Sequence, residues 1–529
     1  MPRYVWPRLA GMMFVEYFAL GAWIVPLAKF LGRSPATGGM GYSPTEVSGT
    51  YTTFALAGLI APLFTGLLAD RFFAAEKLLG GLHAVMAVLL VAAAWWADAH
   101  AGPAADPAAA FGPLYGLLLG YNVCRLASLT LTNVIGFRTL ADPRASFGYV
   151  RLMGTLGWIV AGFAVAFALD PVSGQPLYLG AAASAVMAVA IAAGAVPHTP
   201  PKGVGRPIAE VVGLPAITLL RDPVFVAFAV VAFLANALNQ FYVVYANPYL
   251  DDRGVGRTEA VLTAAQWVEM GCMAATPLLI RRWGLKPVMA IGLGGFVLRN
   301  GLLAYGSVPL TLAVAVPMHG LGYAFFGMLG AIFVDREAPP HLRAGAQALV
   351  MLLTNGPALL VGNLIAGRVV QAHKTDAGTD WTTVWVVSAV GYAVAAAAFV
   401  LFFREPRRGE RGREPPVGAP ELKRGASDGC SNRGRTPPAR QELTHGQVLQ
   451  VQVCGRPPGG VDPAQPRSAV PRRSGRSLHP GDGRRADGRQ PLVHPPDGGV
   501  RRRAGRRPGR THRPPVRPVR RRRRQADLG

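Results

Sequence analysis

Twelve stretches of this chain are each apolar for about twenty residues, the length a helix needs to cross the hydrocarbon core of a bilayer. They fall at roughly 9–30, 49–69, 78–97, 112–135, 148–169 and 176–196, then at 223–248, 261–280, 286–305, 308–333, 345–370 and 383–403. Within lipid the backbone polar groups must bond inside the protein, and a run of this length does so as a helix. The pattern predicts an all-α membrane protein with twelve transmembrane helices in two six-helix halves, 1–196 and 223–404, joined by a cytoplasmic connector at 197–222. The first run has eleven successors, so it reads as an anchor and not as a cleaved leader.

Composition agrees, once the charge is located. Charged residues make up 16% of the 529 positions and hydrophobic ones 51%, whereas a soluble domain carries about a quarter charged. The net charge of +25 would suggest a nucleic-acid binder, but 31 of the 54 basic and 11 of the 29 acidic residues lie from Arg404 onward. The body before it is nearly balanced, and no nucleic acid is expected as a partner. The tail, 405–529, is rich in Arg, Pro and Gly. It cannot bury enough apolar surface to offset its conformational entropy, so disorder is expected. Its Arg501–Arg503 and Arg520–Arg524 runs admit two readings. One is a contact for anionic lipid or RNA. The other is out-of-frame translation of a GC-rich gene, whose CGN, CCN and GGN codons yield this composition.

Four cysteines, Cys124, Cys272, Cys430 and Cys454, have no metal-site spacing, and the first two sit in apolar runs as expected buried thiols. No metal, cofactor or catalytic nucleophile is expected, and the chain does not read as an enzyme. Loop charge sets orientation. With both termini in the cytoplasm, the inner loops receive residues such as Arg71, Lys77, Arg138, Arg281, Arg282 and Lys286. The outer loops receive only Lys29, Arg33, Arg253, Arg257 and Lys374. That is the bias membrane proteins show.

An ionisable residue inside a span is costly unless it meets a cavity or a partner. Glu16, Arg125, Arg151, Glu269 and Arg299 are such residues. Arg151, Thr155 and Trp158 are spaced i, i+4, i+7 and share a helix face. So do Gln266 with Glu269, and His319 with Tyr323 and Phe326. Asn236, Asn239 and Gln240 form an amide cluster in the seventh run. Aromatic faces beside paired donors and acceptors suit a flat heterocycle bearing hydroxyls. The plainer reading is that amides and hydroxyls bind helix to helix, that Trp158 packs, and that Arg299 is structural. Glu16 and Glu269 are the candidate proton carriers. A second signal follows the second run, where Gly66, Asp70 and Arg71 predict a cytoplasmic gate loop running to Lys77. Its counterpart in the other half runs from Arg281 to Lys286.

Further stretches carry a resemblance. They are Leu177-Tyr178-Leu179-Gly180-Ala181-Ala182 with Pro197-His198, Trp283-Gly284-Leu285-Lys286 with Leu298-Arg299, and Ala304-Tyr305-Gly306. To these add Phe333-Val334-Asp335 through Arg343-Ala344-Gly345-Ala346-Gln347, Thr354-Asn355-Gly356, and Asp380-Trp381 with Val384-Trp385. With these, residues 10–404 resemble the nucleoside:H⁺ symporter family of the major facilitator superfamily; the tail is not covered. The resemblance implies proton-driven nucleoside uptake across the inner membrane by alternating access, with nucleoside, proton and lipid bilayer as partners and a monomer as the working form.

It also implies a substrate site on the fifth, seventh, eighth and tenth helices. Arg151, Thr155, Gln240, Gln266 and Glu269 match its polar positions, with Glu269 near the ribose. Trp158 and Tyr323 stand where the family has aromatic rings, and His319 where it has a tyrosine. Three positions depart: Val243 replaces an amide, Ala324 an acidic residue, and Arg125 a tyrosine, the last a partner for an acidic ligand or for Glu16. The alternatives are a carrier for another small solute such as a sugar, peptide or drug, and a non-transporting membrane receptor signalling through its basic tail.

Overall fold

The computed structural model describes residues 4–404, apart from 72, 104–105, 201–208, 210–212 and 377, and gives only the backbone of 62–71 and 144–145. The tail, and with it the calls made on Arg501–Arg503 and Arg520–Arg524, lies outside the described residues, as does part of the connector.

Among the described residues the chain forms twelve long helical segments. They are α1 Val5–Gly32, α2 Pro44–Arg71, α3 Ala75–Ala99, α4 Pro107–Thr139, α5 Pro143–Ala168 and α6 Gln175–Ala192, then α7 Pro223–Asp252, α8 Ala264–Trp283, α9 Leu285–Tyr305, α10 Val308–Glu337, α11 Arg343–Ala372 and α12 Trp381–Phe402. A short turn of helix, Thr258–Leu262, precedes α8. At 1.5 Å per residue the 28 residues of α1 reach about 42 Å, enough to cross a ~30 Å core at a tilt.

Among the described residues ten of these segments are long and apolar enough to cross a membrane; α8 is not one of them, and neither is α2 as far as it is described. In α8 the cause is the presence of Gln266, Glu269, Arg281 and Arg282 in a segment of 20 residues. The helix bounds run beyond the apolar runs in α4 and α7, and each of the two starts at a polar cap. Asp106 and Asp222 each accept backbone N–H bonds at the start of α4 and α7, with proline at the first helical position. There the missing amide hydrogen costs nothing. The all-α expectation holds apart from a two-residue antiparallel pairing, Lys374–Thr375 with Gly378–Thr379.

One expected element is corrected. The helix α2 continues through Arg71, so Gly66, Asp70 and Arg71 belong to a helix end rather than to a loop. Their side chains lie outside the described residues. The connector is also more than a tether, since a 3₁₀ helix, Leu214–Arg221, packs on α11. In α11 the helix breaks at Gly356 and restarts at Pro357, because proline disfavours a helical residue before it.

Small residues set the tightest crossings, as they do where apolar lipid gives helices little other reason to associate. A Cβ on Gly157 of α5 would run into the Phe14 carbonyl of α1, and one on Gly154 would lie 2.6 Å from the Tyr17 ring. A Cβ on Gly320 of α10 would strike the Ala265 carbonyl of α8. These approaches bring α1 against α5, and α8 against α10, at the level of the polar residues.

Candidate functional site

The side chains singled out in the sequence fall into three groups. The first lies where α1, α5, α8 and α10 face one another. The Arg151 guanidinium stacks over the Tyr17 ring at 4.0 Å from its centre, and Gly154 leaves the room for that ring. Glu269 lies within electrostatic range of Arg151, and Tyr323 within range of Glu269, Arg151 and Tyr17. Tyr323 is 43% exposed, which leaves its ring available on the open side. Thr155 is buried on the Arg151 face, and Trp158 is half-buried with its ring against Gly21 of α1. The stripe of α5 is therefore intact, with Trp158 also serving as packing.

The amides are partly committed to their own helices. Gln240 donates to the Asn236 carbonyl at 3.2 Å and Asn236 to that of Ala232 at 2.8 Å. The nitrogen of Gln266, its orientation assigned from the bonding pattern, donates to the Thr263 and Leu262 carbonyls at 3.1 Å. What these amides keep for a ligand is their oxygen, an acceptor, and in Gln240 and Asn236 also a second N–H.

A second group surrounds Arg299 on α9. It is fully buried, with Tyr242 and Phe296 rings 4.3 and 4.8 Å from the guanidinium carbon. Its Nη1 donates to Asn239 Oδ1 at 3.2 Å and to His319 Nδ1 at 2.7 Å. The His319 ring stacks on Tyr242 at 4.5 Å and lies 6.4 Å from Tyr323. The stripe expected to continue from Tyr323 to Phe326 does not. The backbone from Tyr323 to Met328 is a π-helical turn, which shifts the phase. It turns Phe326 into the core against Phe228 and Phe399.

The third group was only half legible. Glu16 on α1 has no exposed surface, and its carboxylate accepts from Arg125 Nη1 at 3.3 Å and Ser128 Oγ at 2.6 Å. The Glu16–Arg125 partnership raised by the sequence is thus present. His83 on α3, also fully buried, meets Glu16 Oε2 through Nε2 at 2.9 Å. The same rule that singles out Glu16, an ionisable group inside a span, applies to His83. Ser128 and Tyr17 carried no such mark. The thiols of Cys124 and Cys272 are free and half-buried, not buried as expected.

At one end of the bundle a set of contacts ties α1 and α2 to α7. Lys29 Nζ lies 2.7 Å from Asp251, Arg33 pairs with the same carboxylate, and Asn247 donates to the Val25 carbonyl at 2.9 Å. Tyr245 donates to the Pro44 carbonyl at 2.7 Å.

Comparison with known proteins places these residues in context. The sequence model of the family described as nucleoside H⁺ symporter matches residues 5–408. The putative nucleoside transporter YegT of Escherichia coli K12 is 34% identical over 418 residues, covering 75% of this chain and 93% of that protein. The xanthosine permease of the same organism is 29% identical over 415 residues, covering 75% and 94%. Among solved structures, an aspartate-to-alanine mutant of the nucleoside transporter NupG superposes with a TM-score of 0.68 at 25% identity, over 76% of this chain and all of that one.

Proposed function

This chain belongs to the nucleoside H⁺ symporter family, a family of transporters and not of enzymes, and from that premise we propose that it carries nucleosides inward across the bacterial cytoplasmic membrane together with protons. The twelve helical segments then form two six-helix halves, 1–196 and 223–404, with both termini cytoplasmic. The halves rock about a site near mid-membrane. The bonds of Lys29 and Arg33 to Asp251 lie at the outer end in this orientation, and they hold that end closed.

The observation that carries the reading is the Arg151 guanidinium stacked on Tyr17 within electrostatic range of Glu269 and Tyr323, so that three helices bring polar groups to one place. A guanidinium beside a carboxylate offers donor and acceptor to vicinal ribose hydroxyls, while Tyr323 and Trp158 offer faces to a base. Thr155, the amide oxygens of Gln240 and Gln266, and His319 complete the lining. Glu16 and Glu269 are the carboxylates able to take a proton inside the bundle.

The test is uptake of labelled uridine and adenosine into proteoliposomes, with an acid-outside gradient imposed and then collapsed by an uncoupler. Saturable accumulation that the uncoupler abolishes supports the reading. Accumulation of a sugar or peptide instead, with no competition by nucleosides, removes it.

A further inference from the structure

We propose that Glu16, His83, Ser128 and Arg125 form a proton-binding site in which the transported proton rides on the Glu16–His83 pair. The inference rests on the proton-coupled reading above and names the site that would serve it.

The four groups come from α1, α3 and α4, and their exposures are 0, 0, 0 and 4%. A buried carboxylate needs one cation for neutrality, and Arg125 supplies it. A purely structural pair would stop there. Instead the same carboxylate also meets an imidazole, and Ser128 Oγ sits 2.6 Å from Glu16 Oε2 and 3.2 Å from His83 Nε2, bridging the two.

With carboxylate, guanidinium and neutral imidazole the cluster carries no net charge. The carboxylate accepts, so Nε2 holds the ring hydrogen and the lone pair lies on Nδ1. That nitrogen is buried and has no partner. An incoming proton binds there, the cluster becomes +1, and Glu16 lies against the imidazolium it creates. Release of the proton to the opposite side returns the cluster to zero.

Most of the groups packed around the cluster are uncharged among the described residues. On α4 the neighbours are Tyr121 and Cys124. On α6, packed against α3, Ser184 donates to its own helix at the Gly180 carbonyl, 2.9 Å away. On α2, Thr53 takes the amide of Asn122 at 2.9 Å. The charged neighbours are Arg151 of α5 and Glu269 of α8, both reached through Tyr17. The Arg125 and Arg151 guanidinium carbons lie 5.7 and 4.0 Å from the centre of that same ring. A ligand that draws Arg151 away from Tyr17 therefore alters the support of Arg125, and with it the field at Glu16 and His83.

The experiment compares the full chain with His83→Gln and Ser128→Ala in proteoliposomes, using uridine as the probe. Two readouts are taken: counterflow, which needs no gradient, and accumulation driven by an acid-outside gradient. For His83→Gln the expected result is about a tenfold or greater fall in driven accumulation, with counterflow within about threefold of the parent. Ser128→Ala, which leaves the Glu16–His83 contact, is expected to shift the pH midpoint of accumulation, and it carries the test if His83→Gln does not fold. Driven accumulation by His83→Gln at the parental level, counterflow lost along with accumulation in a folded variant, or an unshifted Ser128→Ala profile each overturns the proposal. A parent that is itself undriven by acid overturns the coupled reading, and the site with it. A driven parent beside an equally driven variant sinks the site alone.

Discussion

Arg299 Nη1 lies 2.7 Å from His319 Nδ1, and because an arginine only donates, that nitrogen must accept and the ring hydrogen must sit on Nε2. The bond fixes the tautomer of a site residue from a neighbouring helix, the role that outer partners play for ligating histidines. His319→Phe keeps a ring on Tyr242 but leaves a buried guanidinium donor unmet. It should lower stability by about 1–3 kcal/mol, read as a drop in the unfolding midpoint in detergent. His319→Gln should recover part of that loss, since its amide oxygen can accept.

Glu269→Gln should leave the protein folded and weaken nucleoside binding by about tenfold. A carboxylate's hydrogen bonds to hydroxyls are worth more than an amide's, and about 1.4 kcal/mol is a factor of ten. Binding isotherms with uridine check this. Unchanged affinity would remove Glu269 from the site.

Gly157→Ala should fail to accumulate in the membrane, because its Cβ meets the Phe14 backbone and neither helix can yield locally. Overpacking of this kind costs about 1–3 kcal/mol or more. Gly116→Ala on α4, where a Cβ meets nothing within 4 Å, should be neutral or stabilising by up to about 1 kcal/mol. Expression and thermal unfolding of the two variants give the comparison.

Asp251→Asn removes the shared partner of Lys29 and Arg33. Such half-exposed pairs are worth about 0–1 kcal/mol each, so the fold should survive while the outer end opens more often. A cysteine placed at Val25 should then react faster with a membrane-impermeant maleimide. An unchanged rate would mean that these ion pairs do not hold the outer end closed.

At the start of α12, Asp380 caps the helix, accepting from the Thr383 hydroxyl at 2.6 Å and its amide at 3.2 Å. The Thr383 bonds hold its carboxyl below the usual aspartate range. A lowered folded value means the stabilisation is fully present above the unfolded value of about 3.9 and is lost as pH falls through the folded value. The difference in unfolding midpoint between the parent and Asp380→Ala should therefore be constant near neutrality and shrink below about pH 4.

The sequence by itself determined the membrane body. Runs of apolar residues longer than a bilayer core leave a chain little choice but helices, and the same hydrophobicity makes Glu16, Arg151 and Glu269 conspicuous. Spacing was enough to put Arg151, Thr155 and Trp158 on one face, because α5 is regular. It was not enough for α10, where a π-helical turn after Tyr323 sends Phe326 inward. No local signal marks where a backbone will depart from 3.6 residues per turn. Nor did the sequence place the end of α2, since polar residues end an apolar run without ending a helix. Only the tertiary structure could join Glu16 to His83, 67 positions away, or place Arg125 and Arg151 around Tyr17. The Arg151 contact has room because glycines at 154 and 157 let α1 and α5 touch, and contact between helices is decided by packing across the bundle, not by the order of residues along the chain.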